Sequence, residues 1–432
     1  MSVGSVVDLA VVFHAAVAPF SWLTNSLTCS CRKWQNRNLY VAVIDGGSTG
    51  TRLHLFKYKQ NFEIENEYFK EVKPGLSGFS MNPEGAANSV QELLDVALEL
   101  TSPVERCHIP IILKATAGLR LLPDNQSENI LKLVRDRIRK SGFFVDDNAV
   151  GVLSGVDEGV FSWVTVNLLL DRLKTVVSKN TKTPEAASGL KTVQIGDKED
   201  LTVASLDLGG GSTQVTFHPQ LLTQVSADSD RQHFFHAVNI DGKLIELYTH
   251  SYLGGGLIAA RIGITKEDGL FNGKYYFSEC FPDGYHLEAI DYAGRKWNII
   301  GNASSFDGCF RAANRYIRKL NVRLISDLKN KDIYAFSYFY ERANQLKLLT
   351  SFGNNRPGVI SVGDYKNAAQ KACSARSDQI GPEHWQPWKC LDLTFIYSLL
   401  HTGYGLGDTK SINRENDLGR ARTADLLCVR QM

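Results

Sequence analysis

Two stretches of this chain share one chemical design: Val43-Ile-Asp-Gly-Gly-Ser-Thr-Gly-Thr-Arg52 and Leu206-Asp-Leu-Gly-Gly-Gly-Ser-Thr-Gln214. In each, an apolar run ends in an aspartate, and glycines and hydroxyl side chains follow. Glycine lets the backbone approach an anion closely, and consecutive N–H groups then donate to phosphate oxygens. The first stretch offers Gly47, Ser48, Thr49, Gly50, Thr51 and Arg52 for this, and the second Gly209, Gly210, Gly211, Ser212 and Thr213. Asp45 and Asp207, each near the end of its apolar run, are placed to hold a divalent cation, directly or through water. A single Asp-Gly-Gly is an ordinary tight turn. Two copies with matching chemistry imply two similar halves facing one anionic ligand.

Such loops need rigid elements behind them. Residues 39–44 and 201–206 read as strands, and 201–218 repeats the strand, turn and strand of 38–58. Between them the pattern predicts an amphipathic helix over 85–100, a buried strand over 110–116, a helix over 127–140, a strand over 150–153 and a helix after Glu158. This alternation argues for α/β layers, with ligands at the carboxyl ends of strands. Residues 174–200, rich in Lys, Thr, Ser and Gly, read as an exposed loop or insertion.

The duplicated strand, Asp-Gly-Gly and hydroxyl pattern resembles the superfamily of actin, sugar kinases and the large heat-shock chaperones. That resemblance implies two similar lobes, duplicated ribonuclease H-like domains, with a nucleotide cleft between them. Lys114-Ala-Thr-Ala-Gly-Leu-Arg120, Ser154-Gly-Val-Asp-Glu-Gly159 and Trp163-Val-Thr-Val-Asn167 narrow it, because with the two loops they follow the order seen in the apyrase family, the nucleoside triphosphate diphosphohydrolases. Val72-Lys-Pro-Gly-Leu-Ser77, Leu247-Tyr-Thr-His-Ser-Tyr-Leu-Gly254 and Tyr334-Ala-Phe-Ser-Tyr338 add to the match. Among apyrases the chain looks most like the soluble, diphosphate-preferring members of the endoplasmic reticulum and Golgi.

The resemblance implies divalent-cation-dependent removal of the terminal phosphate of nucleoside diphosphates such as UDP and GDP, with triphosphates used less well. Asp45 and Asp207 would hold Ca2+ or Mg2+ through its waters. Glu158 would be the general base, although an isolated Asp-Glu-Gly is by itself a common helix start. Ser212 and Gln214 would orient the attacking water, Thr116 would touch the terminal phosphate, and Arg120 would brace the site by an ion pair, outside the catalytic set. No Ser or Thr here has an adjacent His to make it a nucleophile, so water attacks directly. Tyr340 either stacks on the nucleobase or belongs to the core. Tyr252 is the weaker base-stacking candidate, and His250 reads as structural.

Composition bounds the remainder. With 432 residues, 43% of them hydrophobic, the chain is too long for one compact core. The division expected is residues 1–38 as signal peptide or N-terminal anchor, 39–154 as lobe I, 155–404 as lobe II and 405–432 as a truncated return to lobe I. A net charge of +2 with no basic run lacks the footprint of nucleic-acid binding, so no nucleic acid is expected as a partner. Membrane association is expected only through the N-terminal segment; the oligomeric state is not readable.

Eight cysteines with two glycosylation sequons, at Asn125 and Asn302, fit the secretory lumen or the extracellular space. The resemblance pairs Cys280 with Cys309 and Cys373 with Cys390, and Cys107 reads as a buried thiol. After Gly403-Tyr-Gly-Leu-Gly407 the family's last conserved region, a closing helix that returns to the first lobe, is replaced by Asp408-Thr-Lys-Ser-Ile-Asn413. Its loss is expected to leave an apolar face of lobe I uncovered. Two alternatives therefore stand beside the hydrolase: a catalytically impaired nucleotide-binding isoform, and another phosphotransferase or polyphosphate hydrolase of the same superfamily. Hinges are expected near residues 154–159 and 401–405.

Overall fold

Alternation of side chains along two successive strands builds the first sheet. In β1 (Leu39–Gly46) and β2 (Thr51–Tyr58), Ala42, Ile44, Leu53 and Leu55 share one face and are wholly buried. The structure, a computed structural model, describes residues 39–59, 64–177, 200–219, 233–240, 242–268, 270–291, 293–346 and 359–414. β3 (Ile64–Val72) pairs antiparallel with β2, β4 (Ile111–Ala115) pairs parallel with β1, and β5 (Val150–Val152) pairs parallel with β4, giving the order β3-β2-β1-β4-β5. Helix α1 (Pro83–Leu100) begins where the Asn82 side chain accepts from the Gly85 N–H, with Pro83 in its first turn. The single turn α2 (Ala117–Arg120) follows β4 directly, and α3 (Asp124–Arg139) lies beside α1. Val90, Leu93 and Leu94 of α1 and Ile130, Val134 and Ile138 of α3 complete the core on this face. The opposite face carries Val43 and Phe56, which are 0% and 3% exposed, with Val41, Tyr58 and Ile64 partly buried beside them.

At Ser154–Gly155 the chain passes into α4 (Gly155–Leu169), which packs Trp163 and Val164 against Ile245 and Leu247 of a second sheet. That sheet starts with β6 (Ala204–Leu208), β7 (Ser212–Phe217), β8 (Phe235–Ile240) and β9 (Lys243–Leu253), an antiparallel run. Helix α5 (Leu257–Glu267) leads to a separate small sheet of β10 (Leu270–Phe271), β11 (Tyr276–Ser278), β12 (His286–Ile290) and β13 (Lys296–Gly301). Then come α6 (Phe306–Lys319), β14 (Ile333–Ser337), α7 (Tyr338–Gln345), β15 (Ile360–Ser361), α8 (Val362–Cys373), α9 (Lys389–Ser398) and β16 (Ser411–Arg414). The order β9-β7-β6-β14-β16 repeats β3-β2-β1-β4-β5 strand for strand, with the same parallel and antiparallel senses. The molecule is a duplicated α/β fold of two lobes.

Some expectations need correction. Residues 411–414 do not return to lobe I: β16 pairs with β14, Tyr334 opposite Asn413, and completes the second sheet. The helical turn Leu399–Gly403 accordingly packs against α9 and α6, inside lobe II, so the second hinge has no crossing to serve among the described residues. Cys107 is exposed, on the turn between α1 and β4. The two pairs Cys280–Cys309 and Cys373–Cys390 are disulfides. No helix among the described residues is long and apolar enough to cross a membrane. Residues 1–38, 178–199 and 415–432, which take in the leader and most of the 174–200 insertion and the 405–432 tail, lie outside the described residues, whereas Lys174–Val177 form a helical turn with Val176 buried rather than an exposed loop.

The lobes also touch away from the chain crossing. The hairpin tip between β12 and β13 is held by Asp291, which accepts the backbone N–H groups of Ala293 and Arg295 and the indole N–H of Trp297. From it the Ala293 carbonyl accepts the Ser80 hydroxyl of lobe I at 3.1 Å, and Ala293 packs on that lobe's core.

Candidate active site

Both loops are hairpin turns of the same length, and register fixes what faces each aspartate. Asp45 on β1 stands opposite Arg52 on β2, and Asp207 on β6 stands opposite Gln214 on β7. Both aspartates are 1% exposed. A carboxylate so deeply placed needs a cationic or hydrogen-bonding neighbour. For Asp45 that neighbour is Arg52, whose Nη1 lies 3.1 Å from Oδ2 while Nη2 lies 3.0 Å from Glu71. Arg52, expected among the phosphate donors, is thus engaged with two carboxylates. Asp207 anchors its loop through its backbone carbonyl, which accepts the Thr213 hydroxyl at 2.6 Å.

Glycines hold each loop from outside. A Cβ on Gly75 would stand 2.3 Å from the Gly47 carbonyl oxygen, and one on Gly256 would stand 2.4 Å from the Gly211 nitrogen, so neither position admits a side chain. The Gly209 and Gly210 carbonyls accept N–H groups from the start of α5 at 2.9 and 3.0 Å. The loops meet each other: a Cβ on Gly210 would lie 2.4 Å from Ser48 Oγ and 2.9 Å from Thr49 Cγ2. Thr51 and Thr213 occupy equivalent buried positions at the far ends of the turns, with Gly50 against Glu71. Thr116 is buried at the start of α2, its N–H donating to the Gly46 carbonyl.

Glu158 lies in the first turn of α4, behind the N-cap Ser154, whose hydroxyl oxygen accepts the Asp157 N–H at 3.0 Å. It is 5% exposed. Arg120 Nη2 donates to its Oε2 at 2.5 Å and also reaches Ser212 Oγ at 3.2 Å. Gln214 Nε2 sits 2.9 Å from the same Oε2, 2.6 Å from Ser212 Oγ and 2.9 Å from Ser251 Oγ. The amide must present its nitrogen to Glu158, because its oxygen would face a carboxylate. That leaves Gln214 Oε1 buried and without a protein partner, an acceptor suited to water. Burial pushes the Glu158 carboxyl above its ordinary range, and the Arg120 guanidinium pulls against that shift.

Two residues belong to this neighbourhood that the sequence reading passed over. Ser251 stands opposite Gln214 in the β7–β9 register, a pairing visible only once β9 is placed. Tyr338, the first residue of α7, has the Thr49 side chain of the other lobe beside its hydroxyl. Tyr340 is half-buried one turn into the same helix. Tyr252 is core, 4% exposed, and His250 packs between Phe234, at a tilt, and the edge of Tyr252, with burial holding its imidazole below the usual range.

A divalent cation suits the oxygen-only donors here. Two buried carboxylates flanked by hydroxyls form a hard ligand set, and among the described residues no group of three His, Cys, Asp or Glu converges that would enclose a metal fully. Such a site leaves most of the coordination sphere to water and phosphate.

Comparison with known proteins bears on this arrangement. Residues 32–420 match the GDA1/CD39 (nucleoside phosphatase) family. The chain is 38% identical over 405 residues to the nucleoside-diphosphatase uda-1 of Caenorhabditis elegans, covering 90% of this chain and 79% of that protein. It is 33% identical over 395 residues to the nucleoside diphosphate phosphatase ENTPD5 of Homo sapiens, covering 87% and 84%. Among solved structures, nucleoside triphosphate hydrolases from Neospora caninum share the fold, with a TM-score of 0.58 at 14% identity over 93% of this chain and 92% of that one.

Proposed function

The chain belongs to the GDA1/CD39 (nucleoside phosphatase) family, and from that premise we propose that it hydrolyses the terminal phosphate of nucleoside diphosphates of the UDP and GDP kind, with triphosphates poorer substrates. Relatives named as diphosphatases support the substrate class. The observation that carries the chemistry is Glu158: a buried carboxylate between the two loops, gripped by Gln214 and Arg120, beside an orphaned amide oxygen.

Hydrolysis of a phosphoanhydride rests on positioning and on charge neutralisation. Backbone N–H groups and hydroxyls of residues 47–51 and 209–213 cradle the phosphates from both sides, and Thr116 touches the terminal one. Gln214 and Ser212 orient the water, and Glu158 accepts its proton as the oxygen attacks phosphorus, leaving nucleoside monophosphate and inorganic phosphate. Asp45 and Asp207 would hold a Ca2+ or Mg2+ ion through its waters, and that ion would neutralise phosphate charge. An elevated Glu158 pKa brings the base nearer neutral pH, where a general base works best. The disulfides support a luminal or secreted setting, where such bonds persist.

The test is phosphate release by the purified chain from UDP, GDP, UTP and ATP with calcium, magnesium or chelator, alongside Glu158→Gln. Metal-dependent, diphosphate-preferring release that the substitution lowers by about 10²–10⁴-fold is expected. Nucleotide binding detected by thermal stabilisation without any turnover would instead establish a binding protein.

A further inference from the structure

Arg120 and Glu158 come from different lobes. Arg120 closes α2, one turn beyond β4 of the first sheet, whereas Glu158 rides on α4, which is packed on the second. Their contact, 2.5 Å from Nη2 to Oε2, therefore bridges the two bodies, and the same nitrogen reaches Ser212 on β7. The side chain is closely seated: a Cβ on Gly155 would lie 2.6 Å from Arg120 Nη1. Arg120 is the charge that acts on Glu158; Gln214 faces it from β7 as a neutral group, and Asp157 on its own helix turns to Ser154.

We propose that Arg120 is a positioning residue that keeps the general base ionised and oriented from the opposite lobe, so that the base is complete only when the lobes are together. The proposal rests on the reading of Glu158 as base. A carboxylate this buried takes up a proton when its counter-charge is removed, and as a carboxylic acid it can no longer accept one from water. Arg120 at its post keeps the proton off. The two loops already touch through Gly210 and Ser48, so admitting a phosphate between them requires the lobes to part. Parting takes the guanidinium away, and closure over the substrate restores it. Water reaching an open site then meets a base that Arg120 no longer orients.

The experiment is the pH profile of kcat for UDP in the wild type, Arg120→Gln and Arg120→Lys. Activity falls as pH drops through the base pKa, so raising that pKa moves the acid limb to higher pH. Arg120→Gln is expected to move it up by about 1–3 pH units. Lysine keeps the charge without the planar fork, so Arg120→Lys should place the limb between the two. A loss by the same factor at every pH, or an unmoved limb, would overturn the proposal. Thermal melting supplies a readout apart from turnover. At a pH above the raised acid limb the double variant Arg120→Gln/Glu158→Gln should melt above Arg120→Gln alone, because it no longer carries a buried carboxyl that must stay unpaired or take up a proton, and a double variant melting below it counts against the coupling. If Arg120→Gln does not fold, the Arg120→Lys profile decides. If the wild type releases no phosphate, the hydrolase reading falls, while the melting comparison still judges the Arg120–Glu158 pair.

Discussion

The hairpin turns at 45–52 and 207–214 have the same length and register, yet the residue opposite the aspartate is arginine in one and glutamine in the other. In lobe I the guanidinium turns onto Asp45 and Glu71 and braces a buried charge. In lobe II the amide turns away from Asp207, toward Glu158, Ser212 and Ser251. Duplication supplied one frame twice, and on the proposed mechanism a single side chain decides which half carries the reacting water. The proposed base comes from neither turn. It enters on α4, the helix that follows the chain's passage between lobes, which lets both halves act on it.

This asymmetry can be broken experimentally. Gln214→Ala should lower kcat about 10²-fold with a smaller change in KM, the scale seen when one aligned polar group is lost from a reacting centre. Arg52→Gln should act mainly on stability, by roughly 1.5–3 kcal/mol from the lost charged hydrogen bonds, and should reduce kcat at saturating cation less than Gln214→Ala does. The reverse ranking in steady-state kinetics would mean that the first turn, not the second, orients the water. The equivalence of the frames predicts a smaller, matched effect: Gly75→Ala and Gly256→Ala, each pressing on its loop from outside, should both lose roughly 1–3 kcal/mol in denaturant unfolding. A marked cost in one alone would show that the two loops are buttressed differently.

Much of the frame was legible because hairpins with apolar alternation and glycine turns carry their signal locally. β1, β2, β6, β7, α1 and α3 fall within a few residues of where the pattern put them. What escaped was non-local. Arg52, read as a phosphate donor because it adjoins the glycines, is set by strand register across from Asp45, a pairing that its neighbours in sequence do not declare. Ser251 and Tyr338 reach the site through a neighbouring strand and across the lobes, which no spacing along the chain encodes. β16 is four residues long, too short for alternation to declare a strand, and its place is set by the exposed edge of β14. Cys107 is one residue in a turn, where burial follows from the path of the chain rather than from residue type.

The contact between Ser80 and the Ala293 carbonyl has a mechanical meaning. Two rigid bodies joined at one point can swivel in every direction, as a ball does in its socket. Among the described residues the chain passes between the lobes once, at Ser154–Gly155, and alone that junction would permit such swivelling. The hairpin tip adds a second point of attachment. Bodies pinned at two points turn only about the line through them, like a door on its frame, so a parting of the lobes would carry the two glycine turns along a single arc.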